Sequence, residues 1–399
     1  MPPLRIALIG TGFMGRAHSH AWRTAGAFFD LPRSLDTAVL VGRDQARAHD
    51  LAARFGWGEV SGDWQAVVAR DDIDVVDICT PGHLHAPIAL AALAAGKHVL
   101  CEKPLANSTQ DATVMTAAAE RARAGGIIAM CGFSYRRTPA LALAKQLIDD
   151  GLLGRIRHVR AQYLQDWLTD EDAPLTWRLD AAQAGSGALG DIAAHSIDTA
   201  HWLTGQRITA VSAMLKTFVS SRPKLTEQVG LGGRGDAGAA RGPVTVDDAA
   251  AFTTTFDGGA LGVFEATRMA TGHRNANRIE ISGERGAVAF DYERSNELEV
   301  YDTRDDPAAQ GFRRVLATEP EHPYMSAWWP TGHGIGYEHG FTHQVVDFVR
   351  AVADGADVAP TFADALEVQR VLDAVAASAA DSSRLTDVLP LPRTESTPS

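Results

Sequence analysis

The features that the sequence lacks limit where the protein acts and what it binds. It has no apolar run of about 18 residues, so no membrane span is expected. Lys and Arg number 37 against 49 Asp and Glu, and the net charge of −12 argues against a nucleic-acid partner, which needs a basic face. The first strand-like run begins at Leu4, which leaves no room for a signal peptide and favours a cytoplasmic location.

Cysteine is scarce as well. Cys79, Cys101 and Cys131 are an odd number, and each lies in or beside an apolar run. Buried, reduced thiols are therefore the interpretation, in place of a disulfide framework. A hydrophobic fraction of 45% with 22% charged residues is typical of a globular protein, and 399 residues predict two domains.

Glycine, in contrast, is concentrated near the start of the chain. The apolar run Leu4–Ile9 is followed at once by Gly10-Thr11-Gly12-Phe13-Met14-Gly15, and a helix-compatible segment covers 14–25. Strand, GxGxxG and helix form the dinucleotide-binding fingerprint. Gly10 allows the turn, Gly12 allows close approach of a pyrophosphate, and Gly15 allows the helix to pack on the strand. The alternative is a glycine-rich turn with no ligand. The predicted cofactor contacts here are Gly10, Gly12, Phe13, Met14 and Gly15.

Strands and helices alternate over the first third of the chain. Apolar strands are predicted at 4–9, 38–41, 75–79, 98–101 and 127–131, with helices at 14–25, 45–55, 84–95 and 110–123. This pattern is typical of a parallel sheet covered on both faces, so we predict a doubly wound domain over residues 1–132. Ligands bind such sheets beyond the carboxyl ends of the strands. Further cofactor contacts are therefore predicted at Arg43, Asp44, Thr80, Pro81, His83, His85, Glu102 and Lys103.

The remaining chain has a different pattern. Helices are predicted at 138–150, 188–203, 338–353 and 362–379, and strands at 156–164, 208–218, 249–256, 260–268, 278–282, 287–291 and 297–301. Turn sequences such as Asp257-Gly258-Gly259 separate several strands, which predicts hairpins in a mainly antiparallel sheet. We assign residues 133–389 to this second α/β domain. The Gly-, Arg- and Ala-rich segment 220–242 is predicted to be a long mobile loop, and 390–399 a tail.

Two groups carry candidate chemistry. Lys103 follows a strand at the edge where a nicotinamide is expected, and a lysine there can stabilise a developing alkoxide. Asp191 and His195 lie four residues apart on a predicted helix, so the carboxylate can orient the imidazole as a base. The alternatives are a surface lysine, a helix-start Asp and a packed His. DxxxH spacing also occurs in metal sites, but no third ligand of matching type lies near, so no metal is predicted.

Four segments together resemble the Gfo/Idh/MocA family of oxidoreductases: 10–15, Glu102-Lys103-Pro104, 132–140 and 191–195. The resemblance implies a Rossmann domain followed by an α/β domain with an open, mainly antiparallel sheet. It also implies that Lys103, Asp191 and His195 form the catalytic set, with His195 as the base while hydride passes from a sugar or cyclitol C–H to C4 of the nicotinamide. Family members bury the open sheet against another subunit, which implies a homodimer or homotetramer.

A narrower resemblance concerns the substrate. Segments 163–167, 174–178 and 185–191, supported by 265–268 and 334–337, are similar to family members that oxidise levoglucosan, a compact anhydro-sugar. Trp167 and Trp177 can stack on a pyranose, while Gln165, Asp166 and Arg178 can bond its hydroxyls. Packing in the core is the alternative for the aromatic residues. The predicted substrate residues are Tyr135, Gln165, Trp167, Trp177, Arg178, Asp191 and His195.

For both the cofactor and the class of reaction, the sequence leaves more than one interpretation. The acidic residue expected after the second strand of an NAD site is replaced by Gly42, and Arg43 next to it can meet a 2′-phosphate, while Asp44 can reach a ribose. NAD is favoured by the family resemblance, and NADP stays open. Besides a sugar or cyclitol dehydrogenase, the alternatives are an NAD-dependent glycosidase that oxidises its substrate transiently and a non-catalytic sugar-binding regulator.

Overall fold

The first sheet supports the glycine-rich turn. The computed structural model describes residues 2–229, 232–235, 238–356 and 358–389, without the side chains of 225–237. In its first part lie β1 (Leu4–Ile9), β2 (Leu35–Val41), β3 (Glu59–Ser61), β4 (Val75–Ile78), β5 (His98–Cys101) and β6 (Ala129–Cys131). Over the described residues these six strands form one sheet in the order β3-β2-β1-β4-β5-β6, with every pair parallel. The predicted doubly wound sheet is confirmed.

Five helices accompany these strands: α1 (Phe13–Phe28), α2 (Gln45–Phe55), α3 (Trp64–Val68), α4 (His85–Ala94) and α5 (Thr109–Arg123). Local sequence fixes several of their starts, because Asp44, Asp63 and Ser108 accept hydrogen bonds from the backbone N–H groups of the first turns of α2, α3 and α5. Strand β3 was not predicted. It is short, lies at the sheet edge and carries polar residues at both ends.

The second sheet is larger and mixed. Its strands are β7 (Ile156–Leu164), β8 (Ile208–Lys216), β13 (Ala249–Phe256), β14 (Leu261–Thr267), β15 (Ala276–Gly283), β16 (Gly286–Asp291), β17 (Glu297–Asp302), β18 (Arg313–Leu316) and β19 (Thr386–Asp387). Among the described residues they lie in the order β18-β17-β16-β15-β7-β14-β13-β8-β19, and the β7–β14 pair is parallel while the others are antiparallel. The α/β fold with a mainly antiparallel second sheet is confirmed.

The inner face of this sheet is covered by α6 (Pro139–Asp149), α8 (Ala194–Thr204) and α10 (Phe362–Ala380). The same part of the chain contains the short α7 (Ala181–Ala184), which packs near Gly82–Leu84, and α9 (Tyr337–Asp354), which packs on α1. Inward residues of the strands, such as Val159 and Phe264, share one core with Ile197 of α8 and Leu366 of α10. The predicted turn at Asp257-Gly258-Gly259 joins β13 to β14, and Gly259 has the positive φ of 84° that such a turn requires.

The prediction of a long loop at 220–242 is wrong for the part that the structure describes. Strand β9 (Ser221–Pro223) pairs with β12 (Arg241–Pro243), and β10 (Leu225–Val229) pairs with β11 (Gly232–Gly235). The buried Arg222 side chain donates to the backbone oxygens of Leu168 and Asp170 at 2.8 and 2.6 Å. Tertiary contacts therefore stabilise a segment whose composition favours a loop. The predicted tail, 390–399, lies outside the described residues.

Packing crosses the predicted domain boundary. Helix α9 lies against α1 and completes the core of the first sheet, with Phe341 5.5 Å from His18 and Phe348 6.3 Å from Trp22 between ring centroids. The division into residues 1–132 and 133–389 stays a prediction.

Cys79, Cys101 and Cys131 are buried free thiols, as expected. In the described parts of the chain, none of the helices is both long and apolar enough to span a membrane.

A buried ion pair joins the segment after β6 to α8. The guanidinium of Arg136 contacts Asp198 at 2.8 and 2.5 Å, and both side chains are almost fully buried. Removing one partner of such a pair leaves the other charge buried without compensation.

We expect Asp198→Ala to lower the free energy of unfolding by about 3–5 kcal/mol, since Arg136 would lose its counter-charge in the interior. Chemical denaturation followed by circular dichroism measures this. The matched control is Asp381→Ala, which removes an exposed partner of Arg384 and should change stability by less than about 1 kcal/mol. Equal effects of the two substitutions would contradict the expectation.

Candidate active site

One large cleft runs along the carboxyl ends of the first sheet and reaches the second sheet. Its volume is about 1630 Å³, and its wall includes residues from the glycine-rich turn as well as Lys103, Asp191 and His195. An open parallel sheet binds its ligands at this edge. The structure therefore brings the predicted cofactor residues and the predicted catalytic residues to the same cavity.

The glycine-rich turn has the geometry that its sequence predicts. Gly10 has a φ of 126°, and a Cβ there would lie 2.4 Å from the backbone oxygen of Cys79. A Cβ at Gly15 would lie 2.0 Å from the oxygen of Gly10, so only glycine allows the helix to pack this closely. A Cβ at Gly12 would meet nothing within 4 Å, and Gly12 borders the cleft with Phe13 and Met14. The turn thus leaves room for a ligand above Gly12.

The other predicted cofactor residues also line this cleft: Arg43, Asp44, Thr80, Pro81, His83, His85, Glu102 and Lys103. The hydroxyl of Thr80 is buried and has no hydrogen-bond partner in the part of the chain that the structure describes, which suits a polar ligand. His85 has a supporting role, because its ring nitrogens contact the backbone oxygens of Pro104 and Thr80 at 2.9 and 3.0 Å. The open space above Gly12 and the orphan hydroxyl fit a bound dinucleotide.

Lys103 reaches across the cleft to the second domain. Its Nζ donates to the backbone oxygen of Asp191 at 2.6 Å and lies 3.5 Å from Oδ1 of the same residue. Nη1 of the fully buried Arg268 contacts Oδ2 of Asp191 at 3.3 Å. Burial by itself would raise the pKa of Asp191, but the charges of Lys103, Arg268 and Arg178 hold it well below its usual range. Asp191 is therefore a carboxylate across the physiological pH range.

His195 lies beside this ion pair, and its ring is held by aromatic contacts. The Tyr135 ring lies edge-on to it, 4.7 Å away between centroids, and Phe133 lies 5.9 Å away. Burial, together with the charge of Lys103, places the pKa of His195 well below its ordinary value. The imidazole is thus neutral at pH 7, the state that a general base needs.

The prediction that the Asp191 carboxylate orients the imidazole of His195 is wrong. Nδ1 of His195 is buried and has no hydrogen-bond partner among the described residues, while both Asp191 oxygens face cations. The reason lies in the helix, because Leu189–Ala193 is π-helical and α8 begins at Ala194. A π-helical turn holds more residues than an α-helical one, so the four-residue spacing does not stack the two side chains.

The predicted substrate residues form the wall opposite the glycine-rich turn. Asn275 Oδ1 accepts from Tyr163 Oη and from Gln165 Nε2, both at 2.8 Å. Trp167 Nε1 donates to Gln165 Oε1 at 2.9 Å, and the hydroxyls of Tyr135 and Tyr163 lie 2.6 Å apart. These bonds fix the wall before any ligand binds.

Trp177 and Arg178 also border the cleft, where the guanidinium lies 4.4 Å from the centroid of the indole ring. Asp166, expected to bond substrate hydroxyls, lies away from the cleft wall. Its carboxylate contacts the guanidinium of Arg274 at 3.2 Å and the backbone N–H of Gly272 at 3.3 Å. Asp166 therefore supports the loop that carries Asn275.

Sequence reasoning missed several residues of the site. Arg268, Tyr163, Asn275, Tyr292 and Tyr337 all border the cleft, but none was assigned a role. For Tyr163, Arg268 and Tyr337 the signal existed, because all three belong to segments that carried the narrower resemblance. Asn275 lies in an irregular loop, and only the tertiary structure brings it to Gln165.

Comparison with known proteins identifies the family of the chain. Residues 4–128 match the oxidoreductase family with an NAD-binding Rossmann fold, and residues 141–289 match the GFO/IDH/MocA C-terminal domain. A levoglucosan dehydrogenase of Pseudarthrobacter phenanthrenivorans is 44% identical over 96% of this chain and 98% of its own length.

Solved structures extend the similarity to the fold. An oxidoreductase domain protein from Kribbella flavida has a TM-score of 0.93 and 57% identity, covering 98% of this chain and 100% of its own. A levoglucosan dehydrogenase in complex with NADH and levoglucosan has a TM-score of 0.90 and 43% identity, covering 97% and 99%. With both of its parts matched and a near full-length relative at this identity, the chain belongs to the Gfo/Idh/MocA family of NAD-binding oxidoreductases.

Proposed function

We propose that the protein is an NAD-dependent dehydrogenase that oxidises a secondary hydroxyl of a compact pyranose sugar of the levoglucosan or glucoside type. One observation carries the proposal: the Lys103–Asp191 contact at 2.6 Å and the neutral His195 border the same cleft as the glycine-rich turn. The relative named for levoglucosan oxidation, 44% identical along nearly its whole length, supports the substrate class.

In the proposed mechanism, each group of this chain has one task. Bound NAD supplies the hydride acceptor. Lys103, fixed by Asp191, donates a hydrogen bond to the reacting hydroxyl and stabilises the alkoxide that develops on it. His195 accepts the hydroxyl proton at a ring nitrogen. Loss of that proton from oxygen and of hydride from carbon converts the secondary alcohol to a ketone.

The wall supports a ring-shaped substrate in preference to a linear alcohol or an acid. Gln165, Asn275, Trp167 and Tyr163 form a connected set of polar groups beside aromatic rings. Adjacent sugar hydroxyls satisfy such groups, while the apolar face of the ring packs on an indole. Cyclitols offer similar hydroxyls, so they serve as competing substrates in the test.

Incubating the protein with a panel of pyranoses, cyclitols and glycosides, with NAD and NADP in separate reactions, tests the proposal. We expect stoichiometric formation of free NADH from a pyranose. Cleavage of a glycosidic bond without net NADH formation would indicate the glycosidase alternative. Sugar binding without turnover would indicate a regulator.

Lys103→Ala and His195→Ala should each lower kcat by about a hundredfold or more, because each removes a group that acts on the reacting hydroxyl. Asp191→Asn should also lower kcat, since Lys103 would lose its counter-charge. Steady-state NADH formation measures these effects. Lys145→Ala, a surface lysine paired with Asp149, is the control and should keep normal turnover. Near-normal kcat in either catalytic variant would contradict the assignment.

Gln165→Ala and Trp167→Ala should raise the sugar KM more than they lower kcat, because these side chains hold the ring and move no proton. Deoxy-sugars should lose roughly 1–3 kcal/mol of binding per missing hydroxyl, which amounts to about one to two decades in kcat/KM. Trp329→Ala, at an exposed tryptophan outside the cleft, is the matched control. Turnover of 2-propanol equal to that of the best sugar would refute the substrate class.

We also propose that the outer face of the second sheet is covered by a second copy of the chain. Met214, Leu261 and Val263 are more than half exposed on this face. Beside them, Arg160 and Glu280 form an ion pair across neighbouring strands at 2.9 Å. An apolar patch with a charged rim is typical of a subunit interface.

Light scattering coupled to size-exclusion chromatography should therefore give a dimer or tetramer at micromolar concentration. Val263→Glu should shift the mass towards the monomer, because it buries a carboxylate in the interface. Val114→Glu, at a similarly exposed valine on α5, should leave the mass unchanged. A monomeric wild-type protein would refute the proposal.

A further inference from the structure

A buried trio of charged side chains lies beneath the cofactor end of the cleft, and the mechanism above does not use it. His18 on α1 lies between Asp77 of β4 and Glu102, which follows β5. Their exposed fractions are 1%, 0% and 4%. Burying three charged side chains side by side costs free energy unless they are strongly paired, so such a cluster points to a specific role.

Both ring nitrogens of His18 face carboxylate oxygens. Nδ1 lies 2.9 Å from Asp77 Oδ2, and Nε2 lies 3.0 Å from Glu102 Oε1. Carboxylates only accept hydrogen bonds, so both nitrogens donate and the ring is an imidazolium. Burial would lower the pKa of His18, but the charge of Asp77 raises it well above its ordinary value. The trio is therefore a carboxylate–imidazolium–carboxylate bridge.

The far end of this bridge is anchored in the core of the first sheet. Trp22 Nε1 donates to Asp77 Oδ2 at 2.6 Å, and the thiol of Cys79 lies 3.7 Å from Oδ1. His18, Asp77 and Cys79 are close enough to form a metal site, but both nitrogens of the imidazole already donate to carboxylates. The anchor is thus a hydrogen-bonded network.

The near end of the bridge holds the catalytic loop. Glu102 Oε2 accepts from the backbone N–H of Lys103 at 3.3 Å. A Cβ on Gly132 would lie 2.6 Å from Glu102 Oε1, so glycine at this position leaves the space that the carboxylate fills. Glu102 is therefore fixed by His18 on one side and bonded to the backbone of Lys103 on the other.

We propose that His18, backed by Asp77, is a positioning residue for Lys103. It fixes Glu102, and Glu102 in turn fixes the backbone from which the Lys103 side chain reaches Asp191 across the cleft. The inference rests on the catalytic role proposed for Lys103. A continuous set of contacts joins Asp77, His18, Glu102, Lys103 and Asp191, so a shift of Glu102 is passed to the ammonium group. A misplacement of about 1 Å in a catalytic group lowers a rate by up to a hundredfold.

A double-mutant cycle tests the inference. In the wild-type background, His18→Leu should lower kcat by about tenfold and change the sugar KM by less than about threefold, because it disturbs Lys103 and leaves the sugar-binding wall intact. In the Lys103→Ala background, His18→Leu should have no further effect, because the group that it positions is absent. Glu102→Gln keeps the His18–Asp77 pair and serves as the second variant if His18→Leu does not fold. It should show the same pattern with a smaller effect.

Thr116→Val is the matched control. It removes a buried donor that bonds the backbone oxygens of Ala112 and Phe362 and has no contact with the bridge, and it should lower thermal stability while kcat stays within about twofold.

A second measurement needs no substrate. Hydrogen–deuterium exchange of the segment 100–106 should be faster in His18→Leu than in wild type, since Glu102 would no longer hold the Lys103 N–H. Unchanged exchange, or an equal fall in kcat with and without Lys103, would overturn the inference while the proposed function stands. Normal turnover of Lys103→Ala alone would instead refute the catalytic assignment.

Discussion

The contact between Lys103 and Asp191 is the interaction on which the site depends. Lys103 follows a strand of the first sheet, and Asp191 lies in the helical segment that covers the second, so their contact at 2.6 Å joins the two halves across the cleft. Buried side chains hold Lys103 from the side of the first sheet and Asp191 from the side of the second. Behind Lys103 lies the buried His18–Glu102 pair, and behind Asp191 lies the fully buried Arg268. A contact across a cleft keeps its geometry only when both ends are fixed in this way.

The charges at the substrate end also decide the protonation states. Asp191 lies near Lys103, Arg268 and Arg178, which keep it ionised, while the same lysine and the surrounding burial keep His195 neutral. A cation and a neutral base that lie side by side suit the removal of a proton from an alcohol, because the cation stabilises the oxygen as the base takes its proton. If the two groups were exposed to solvent, water would screen the lysine and the histidine would titrate near its ordinary pKa.

Local sequence predicts the first sheet well, because continuous apolar strands and the glycine-rich turn are short-range signals. The predicted catalytic and cofactor residues therefore reach one cleft. Prediction from the sequence fails where contacts between distant residues decide the local conformation. Within 220–242, the buried Arg222 of β9 bonds the backbone oxygen of Leu168, a contact distant in sequence. The π-helical turn at Leu189–Ala193 changes the relation between Asp191 and His195. Such turns are frequent at functional sites, and their sequences resemble ordinary helix. Asn275 lies in the cleft wall in place of the predicted Asp166, because the conformation of an irregular loop, which no periodicity encodes, decides which side chain faces the cleft.

Packing also explains the departure from the usual NAD pattern after the second strand. A Cβ on Gly42 would lie 2.5 Å from Cγ2 of Thr11 and 3.1 Å from Cβ of Ala48, so an acidic side chain at this position would have to displace the side chain of Thr11. The nearby carboxylate belongs to Asp44, whose Oδ1 accepts from the backbone N–H of Arg47 and caps α2. Asp44 borders the cleft, and its carboxylate has capacity to accept further hydrogen bonds there. The close approach of Thr11 to the second strand thus favours glycine at the position where NAD sites usually carry an acidic residue.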